Sequence, residues 1–208
     1  MRQDDTPPNG PELFGEQWNQ LDTYADMLWN EGEERGLIGP RELPRLWSRH
    51  LLNCMAINEY VPERAITIDI GSGGGLPGIV LGTTRPDVHV HLVESMERRV
   101  TWLEEVRDRL ELKNVTIHRA RIQELHGEFQ VQVVTARAVA ALKKLLPMAM
   151  PVLKSGGQLV ALKGERAAIE IEESQTAIRK NRVAKVDLHV VEVAGTDEAT
   201  RVVVARKK

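Results

Sequence analysis

The chain has 208 residues, of which 42% are hydrophobic and 28% are charged, and its formal net charge at pH 7 is -2. This composition is ordinary for a globular protein and lacks the basic excess that generic nucleic-acid binders show. No apolar run reaches the roughly 18 residues of a transmembrane helix, and the polar start MRQDDTPPNGPE is unlike a signal peptide. The single cysteine, Cys54, excludes an internal disulfide and a cysteine-based zinc site. We therefore expect a cytoplasmic protein.

Three segments are predicted along the chain. Residues 1–11 contain three prolines and no periodicity, and they are predicted to be a disordered tail. Residues 12–62 are predicted to be a helical extension, because apolar residues recur every three or four positions over 14–30 and a second helix is plausible over 41–59. Residues 63–208 are predicted to form the main domain.

Within the main domain, short β-branched runs alternate with longer helical patterns. Such alternation predicts a parallel α/β sheet with right-handed crossovers. The last two runs are joined by AGTDEAT, which is too short for a crossover helix, so one of them is predicted to run antiparallel. The predicted strands cover 66–70, 88–93, 115–118, 131–135, 157–162, 186–193 and 201–205, and the helical segments cover 96–111, 138–152 and 165–180.

The stretch ITIDIGSGGGLPGIV, residues 66–80, carries the strongest functional signal. Its strand runs directly into a glycine-rich turn over residues 71–75, at the carboxyl end where parallel sheets bind ligands. Glycines at this position allow positive φ angles and let a ligand approach the backbone. The stretch therefore predicts a ligand site.

Two ligand classes fit this turn. A literal G-x-G-x-x-G at Gly73, Gly75 and Gly78 keeps a nicotinamide dinucleotide as an alternative, although it begins two residues after the strand and contains Pro77. Asp69, at the end of the strand, favours a ligand with a cationic amino group over a pyrophosphate.

The ends of the next two strands identify the rest of the ligand. Glu94 follows the second strand, and an acid there can accept both hydroxyls of a ribose. Ser95 is predicted to cap helix 96–111. The segment RARIQEL, residues 119–125, could read an adenine edge with its backbone. Adenine, ribose and a cationic amino-acid tail together describe S-adenosylmethionine.

These motifs resemble those of the GidB/RsmG family, bacterial methyltransferases that act on a guanine N7 of small-subunit (16S) ribosomal RNA. The resemblance extends from about Phe14 to the end of the chain and rests on DIGSGGGLPGI, RHLLN, RRVTWLEEV, RARIQEL, TARAVA and ALKG. It implies a class I S-adenosylmethionine-dependent methyltransferase (Rossmann-like) fold. This is a doubly wound, mostly parallel seven-stranded α/β sheet with an N-terminal helical extension.

The resemblance also implies site residues. Arg137 in TARA is the expected catalytic residue, on the cofactor and substrate side of the pocket. Gln123 stands where the family commonly has an acid, and Asn53 and Cys54 stand where Asp and Ser are more usual. The expected cofactor-binding residues are Gly71, Ser72, Gly73, Gly75, Leu76, Glu94, Ser95, Ile122, Gln123 and Arg137.

A guanine N7 substrate explains the lack of an obvious catalytic dyad, because N7 has a free lone pair and no base need remove a proton. The target must be looped out or extruded, since the A-form major groove is too narrow for side chains. The expected RNA contacts are Arg49, His50, Arg98, Arg99 and Lys163. For His50 a structural role is the alternative, and for Arg98 or Arg99 it is a local ion pair.

We therefore expect S-adenosyl-L-methionine as cofactor, no metal, 16S rRNA or the small ribosomal subunit as partner, and a monomer. Three alternatives remain at this stage. They are a methyltransferase for a small molecule, a nicotinamide-dependent oxidoreductase, and a non-catalytic module for RNA binding or ribosome assembly.

Overall fold

A seven-stranded sheet forms the centre of the protein. The computed structural model describes residues 4–193, 196 and 198–208. The strands are β1 (Ile66–Ile70), β2 (His89–Glu94), β3 (Val115–Arg119), β4 (Val131–Arg137), β5 (Leu153–Lys163), β6 (Val183–Glu192) and β7 (Ala199–Lys207). Each predicted strand is present, close to its predicted bounds.

The strands follow the order β3-β2-β1-β4-β5-β7-β6. Strands β1 to β5 are parallel to one another, whereas β7 is antiparallel to both β5 and β6. The short link from β6 to β7 is the reason, because a parallel crossover needs a dozen or more residues. The predicted doubly wound, mostly parallel α/β sheet is confirmed.

Strand β1 is an interior strand, third in the order of the sheet, and its residues from Thr67 to Ile70 are all buried. Strands β2 and β3 lie on one side of it, and β4 and β5 lie on the other. This reversal of strand order opens a crevice at the carboxyl ends of β1 and β4, which is where open α/β sheets bind ligands.

Helices cover both faces of the sheet. They are α1 (Gly10–Phe14), α2 (Trp18–Glu31), α3 (Asn53–Met55), α4 (Gly78–Thr84), α5 (Glu97–Arg109), α6 (Leu142–Ala149), α7 (Ala167–Glu173) and α8 (Gln175–Lys180). One core joins the sheet to α2, α4 and α5 through residues such as Leu28 and Leu103, and a second joins it to α6 and α7 through Leu145 and Ala167. No helix in the described residues is long and apolar enough to cross a membrane.

Two predicted helices are broken into shorter pieces. The segment predicted as one helix over 41–59 contains a 3₁₀ turn at Leu43–Arg45, a π-helical turn at Trp47–Leu52, then α3 and a further 3₁₀ turn at Asn58–Tyr60. The segment predicted over 165–180 is interrupted at Ser174, between α7 and α8. In both cases the apolar spacing predicted helical structure, but it did not show where the hydrogen-bond pattern changes.

The π-helical turn is held by aromatic stacking. The fully buried Trp47 ring stacks on both Phe14 and Trp18, with centroid distances of 6.2 Å and 5.1 Å. Aromatic pairs at this separation add to the stability gained from burial. Such π-helical turns are frequent at functional sites, and this one carries Arg49 and His50.

The N-terminal tail, predicted to be disordered, contacts the rest of the protein over its described part. Residues 1–3 lie outside the described residues, and helix α1 begins at Gly10. The Asp5 carboxylate accepts hydrogen bonds from the backbone N–H groups of Trp47 at 2.8 Å and Ser48 at 3.0 Å. The tail is therefore fixed by an acid that satisfies donors 42 and 43 residues away in the chain. Local composition contains no signal for such a contact.

Replacing Asp5 by alanine should lower the free energy of unfolding by about 1–2 kcal/mol, because two backbone N–H groups at the start of the π-helical turn lose their acceptor. Urea unfolding followed by circular dichroism measures this change. Asp5→Asn is the matched control and should lose less, since its amide oxygen keeps one acceptor. Equal stability of the wild type and Asp5→Ala would contradict a structural role for this residue.

Candidate functional site

The glycine turn, residues 71–75, extends the parallel ladder beyond the end of β1. The backbone N–H groups of Gly71 and Ser72 both donate to the Val93 carbonyl, at 2.8 Å and 3.2 Å. Gly73 has φ 55°, and a Cβ added there would meet no protein atom closer than the Gly71 carbonyl oxygen at 3.7 Å. The space in front of Gly73 is therefore open to a ligand. We call this open space in front of Gly73, beside the Glu94 carboxylate, the cofactor crevice.

Gly75 lacks a side chain for a different reason. Its φ is 105°, and a Cβ there would lie 2.6 Å from Ile79 and 2.8 Å from the Tyr24 hydroxyl. The missing side chain lets the turn pack against helices α4 and α2. Leu76 is half-buried and packs against the same core.

Two buried aromatic side chains anchor the glycine turn. The Gly74 carbonyl accepts a hydrogen bond from the Tyr24 hydroxyl at 2.8 Å and another from the Trp102 indole N–H at 2.9 Å. Tyr24 comes from α2 and Trp102 from α5, so the N-terminal extension contributes directly to the site. The sequence analysis missed both roles. The sequence did contain a signal for them. Tyr24 and Trp102 lie on the apolar faces of their helices, and a buried Tyr hydroxyl or Trp N–H usually needs a hydrogen-bond partner.

The Glu94 carboxylate lies at the end of β2, beside the glycine turn. Its Oε2 accepts the Gly73 N–H at 3.1 Å, and its Oε1 accepts the Met96 N–H at 2.9 Å. Helix α5 begins at Glu97 with Met96 as its N-cap residue, so the predicted capping by Ser95 is wrong. Within the described residues, no side-chain cap hydrogen bond is present at this helix start, and the Glu94 carboxylate binds the backbone just before it. Contact of Glu94 and Ser95 with a cofactor remains a prediction.

The third side of the crevice follows β3. The Ala120 N–H donates to the Glu94 carbonyl at 3.1 Å, which brings the end of β3 next to that of β2. A 3₁₀ turn over Ile122–Leu125 comes next, with the Ile122 side chain buried and the Gln123 side chain exposed. The adenine contact through the backbone of this turn remains a prediction.

Asp69 does not face the crevice as the sequence suggested. Its carboxyl is fully buried, and Oδ2 accepts the Gly78 N–H at 3.1 Å. Among the described residues Oδ1 has no partner, and burial raises the pKa of Asp69 to about 7. Gly78 sits so close that a Cβ there would lie 2.6 Å from Oδ2. Asp69 therefore fixes the start of α4 by accepting the Gly78 N–H.

A cavity of about 820 Å³ lies beside the glycine turn, at the carboxyl ends of β4 and β5. Val139 lines it and is also the nearest side chain to Gly71, where a Cβ would meet it at 3.1 Å. We call this space the arginine cavity, and its size falls in the range of ligand pockets. Its charged lining residues are Arg49, Arg137, Lys163, Glu165, Glu170, Glu198 and Arg201.

Arg137 ends β4 and is fixed by the N-terminal extension. Its Nη2 donates to His50 Nδ1 at 2.6 Å, and its Nη1 donates to the His50 carbonyl at 3.3 Å and to Cys54 Sγ at 3.2 Å. The next residue, Ala138, has φ 55°, a conformation that is uncommon outside glycine and concentrates at functional sites. Arg137 therefore lines the cavity in a defined position.

His50 and Arg49 play different parts around the cavity. His50 is buried, with its Nε2 3.2 Å from Glu42 Oε2, as the structural alternative describes, and its direct contact with RNA remains a prediction. Burial and the neighbouring Arg137 lower the pKa of His50 to about 4. Arg49 is 51% exposed, lines the cavity, and places Nε 2.8 Å from Glu42.

Lys163 is also committed to protein partners. Its side chain is 9% exposed, and its Nζ donates to the Ala140 carbonyl at 2.7 Å and to Glu170 Oε2 at 2.9 Å. In this arrangement Lys163 fixes the loop after β4, and its contact with phosphate remains a prediction. Opposite it in the β5–β7 register lies Arg201, a cavity residue that the sequence analysis missed. Strand pairing alone brings it there.

The two arginines at the start of α5 also differ. Arg99 is half-buried, with Nη1 3.7 Å from Glu94 Oε2, which matches the local ion pair that the sequence left open. Arg98 is exposed, and its contact with RNA remains a prediction. In the described part of the chain, no group of three or more His, Cys, Asp or Glu side chains is arranged to hold a metal ion.

Asp69 should make the stability depend on pH. Because burial raises its pKa from 3.8 to about 7, the folded protein holds this proton more tightly than the unfolded chain. The resulting stability is complete below the unfolded pKa and is lost as the pH rises through about 7. Urea unfolding at pH 5 and pH 8 should show a larger loss at pH 8 for the wild type than for Asp69→Asn, whose amide does not titrate. The same loss in both proteins would contradict this assignment.

Comparison with known proteins identifies relatives over most of the chain. A family model for GidB, described as rRNA small subunit methyltransferase G, matches residues 17–199. The "Ribosomal RNA small subunit methyltransferase G" of Beutenbergia cavernae is 51% identical over 183 residues, covering 88% of this chain and 86% of that protein. The protein of the same name from Thermobifida fusca is 48% identical over 192 residues, covering 92% of this chain and 81% of that protein.

Solved structures share the fold at lower identity. A SAM-dependent O-methyltransferase from Thermotoga maritima has a TM-score of 0.60 and 18% identity, covering 88% of this chain and 71% of that chain. A SAM-dependent methyltransferase from Aquifex aeolicus has a TM-score of 0.58 and 19% identity, covering 85% of this chain and 98% of that chain. The predicted class I methyltransferase fold is confirmed.

The family model spans most of the chain, and the relatives align with it over most of both lengths. The predicted enzyme class and its S-adenosylmethionine dependence are confirmed at the level of family and fold. This chain belongs to the GidB family, the rRNA small subunit methyltransferases G.

Proposed function

We propose that this protein transfers the methyl group of S-adenosylmethionine to N7 of a guanine in small-subunit ribosomal RNA. The observation that carries the proposal is that the glycine turn and the arginine cavity are adjacent, because Val139, which lines the cavity, is the nearest side chain to Gly71. The cofactor crevice at this turn suits a nucleoside cofactor, and the arginine cavity suits an extruded base with its phosphates.

The cofactor crevice fits S-adenosylmethionine through this chain's own groups. Gly73 has no Cβ, so the space that a side chain would fill is open to a ligand. The Glu94 carboxylate lies beside Gly73 as an acceptor for ribose hydroxyls. The backbone at Ile122 and Gln123 provides hydrogen-bonding groups for the adenine edge. The bound cofactor supplies an electrophilic methyl group.

The arginine cavity fits the acceptor base. A guanine N7 lone pair needs no base to remove a proton, so the protein must mainly align the two reactants and stabilise developing charge. Arg137 can donate to guanine O6 or to a phosphate without blocking N7, because its guanidinium carries only donors. Arg49 and Arg201 line the same cavity and can meet phosphates. Because the formal net charge of the chain is -2, attraction of RNA phosphates depends on such local cationic groups.

The proposed partner is the small ribosomal subunit or its 16S rRNA, with the protein acting as a monomer in the cytoplasm. The test is incubation of the protein and labelled S-adenosylmethionine with small subunits from cells that lack this protein. Mapping the label to a guanine N7 is the expected result. Label on a small molecule only, or none on RNA, would contradict the proposal.

Gly73→Val should abolish binding of S-adenosylmethionine, because the added side chain would occupy the cofactor's space. Titration calorimetry measures the loss. Gly156→Val is the matched control: Gly156 also has positive φ, 75°, and open space around it, but it lies near the opposite end of β5. The control should show a similar backbone strain with normal cofactor affinity. Loss of affinity in both variants would point to misfolding rather than to a blocked crevice.

Arg137→Ala should lower kcat on small subunits by on the order of 100-fold, as removal of a positioned donor does in other enzymes. Cofactor affinity and the melting temperature report on the integrity of the fold. Arg179→Ala, on the exposed face of α8, removes the same charge away from the cavity and should leave kcat unchanged. Unchanged activity of Arg137→Ala would remove this arginine from the site.

A further inference from the structure

We infer that His50 is a positioning residue for the methyl transfer: its imidazole, neutral and protonated on Nε2, accepts a hydrogen bond from Arg137 and so sets the place of the guanidinium in the arginine cavity. The inference rests on the proposed function, in which Arg137 holds the guanine. It assigns His50 a role through Arg137 and not a contact with RNA.

The hydrogen-bond partners determine the tautomer of His50. Arg137 Nη2 lies 2.6 Å from His50 Nδ1, and a guanidinium has donors only, so Nδ1 must be the acceptor. The proton of the neutral ring therefore lies on Nε2, which is 3.2 Å from Glu42 Oε2 and donates to that carboxylate. Each ring nitrogen has a distinct partner, and Glu42 selects the form that can accept from Arg137.

The surroundings keep the ring neutral. His50 is buried next to a permanent cation, and both effects disfavour a second proton, lowering the pKa of His50 to about 4. Glu42 opposes this effect but is itself paired with Arg49. At neutral pH the imidazole is therefore an acceptor for Arg137 and not a competing cation.

The arrangement is specific to the imidazole. The His50 backbone carbonyl and Cys54 Sγ accept from Nη1 of Arg137, at 3.3 Å and 3.2 Å, and these two contacts would survive a change of the His50 side chain. Among the hydrogen bonds of the described residues, only His50 Nδ1 accepts from Nη2. Removal of Nδ1 would therefore leave the guanidinium attached along one edge and free to turn.

Two amide substitutions separate the role of Nδ1 from that of Nε2. The oxygen of asparagine is bonded to Cγ, as Nδ1 is, so His50→Asn keeps an acceptor for Arg137 and loses the contact with Glu42. The amide of glutamine lies one bond further out, near the place of Nε2, so His50→Gln keeps a partner for Glu42 and loses the acceptor for Arg137. His50→Leu loses both contacts.

The assay measures kcat and KM for small subunits lacking the mark, with labelled S-adenosylmethionine in excess, beside calorimetric cofactor affinity and the melting temperature. His50→Asn should keep kcat within about 3-fold of the wild type, whereas His50→Gln and His50→Leu should lose about 10- to 100-fold, the range for a hydrogen bond to a charged group. Cofactor affinity should be the same in all four proteins.

The opposite results overturn the inference. If Asn and Gln lose activity equally, or if the loss follows the melting temperature, His50 acts only in stability. If the wild-type protein itself places no label on RNA, the proposed function fails, and this outcome is distinct from failure of the His50 assignment.

A measurement on the wild type does not depend on the folding of any variant. Nitrogen-15 NMR of histidine-labelled protein at pH 7 should show His50 protonated on Nε2 and unprotonated on Nδ1. In Arg137→Leu the Nδ1 signal should move toward that of an imidazole nitrogen without a donor. A ring protonated on Nδ1, or on both nitrogens, would overturn the assignment.

Discussion

The carbonyl oxygen of Gly74 is the point on which the site depends. The glycine turn carries one side chain, that of the buried Ser72, so a ligand can reach its backbone but the turn has few side-chain contacts to hold its shape. Tyr24 and Trp102 supply that restraint with hydrogen bonds of 2.8 Å and 2.9 Å to the same oxygen. Because the donors come from two different helices, the turn is held from both the N-terminal extension and the main domain.

The N-terminal extension is therefore part of the site. Besides Tyr24, it provides His50 and Cys54 to Arg137. The π-helical turn that carries His50 is in turn fixed by the Trp47 stack and by Asp5. The arginine at the end of β4 thus depends on residues that lie far before it in the chain. The N-terminal extension therefore links the arginine cavity, which is the proposed site for the RNA base, and the cofactor crevice into one structural unit.

Two polar residues near the site have partners that their motifs did not reveal. Lys163 lies near the cavity, as predicted, but Glu170 and the Ala140 carbonyl use its ammonium group. Asp69 lies at the end of β1, as predicted, but Gly78 comes so close that the carboxyl is enclosed. A motif can show that a charge is near a site. Whether that charge is available depends on which other groups the fold brings within hydrogen-bond distance.

The sequence by itself determined the α/β class, the seven strands with an antiparallel pair at the end, the glycine turn, and the positions of Glu94 and Arg137, because these follow from local periodicity and from residues adjacent along the chain. It also carried the family resemblance that the comparisons confirm. Only the tertiary structure decided that Tyr24 and Trp102 anchor the turn, that His50 orients Arg137, and that Arg201 enters the cavity. Those contacts join segments that are tens of residues apart. They form because the elements of the fold pack together, and a local sequence pattern carries no information about that packing.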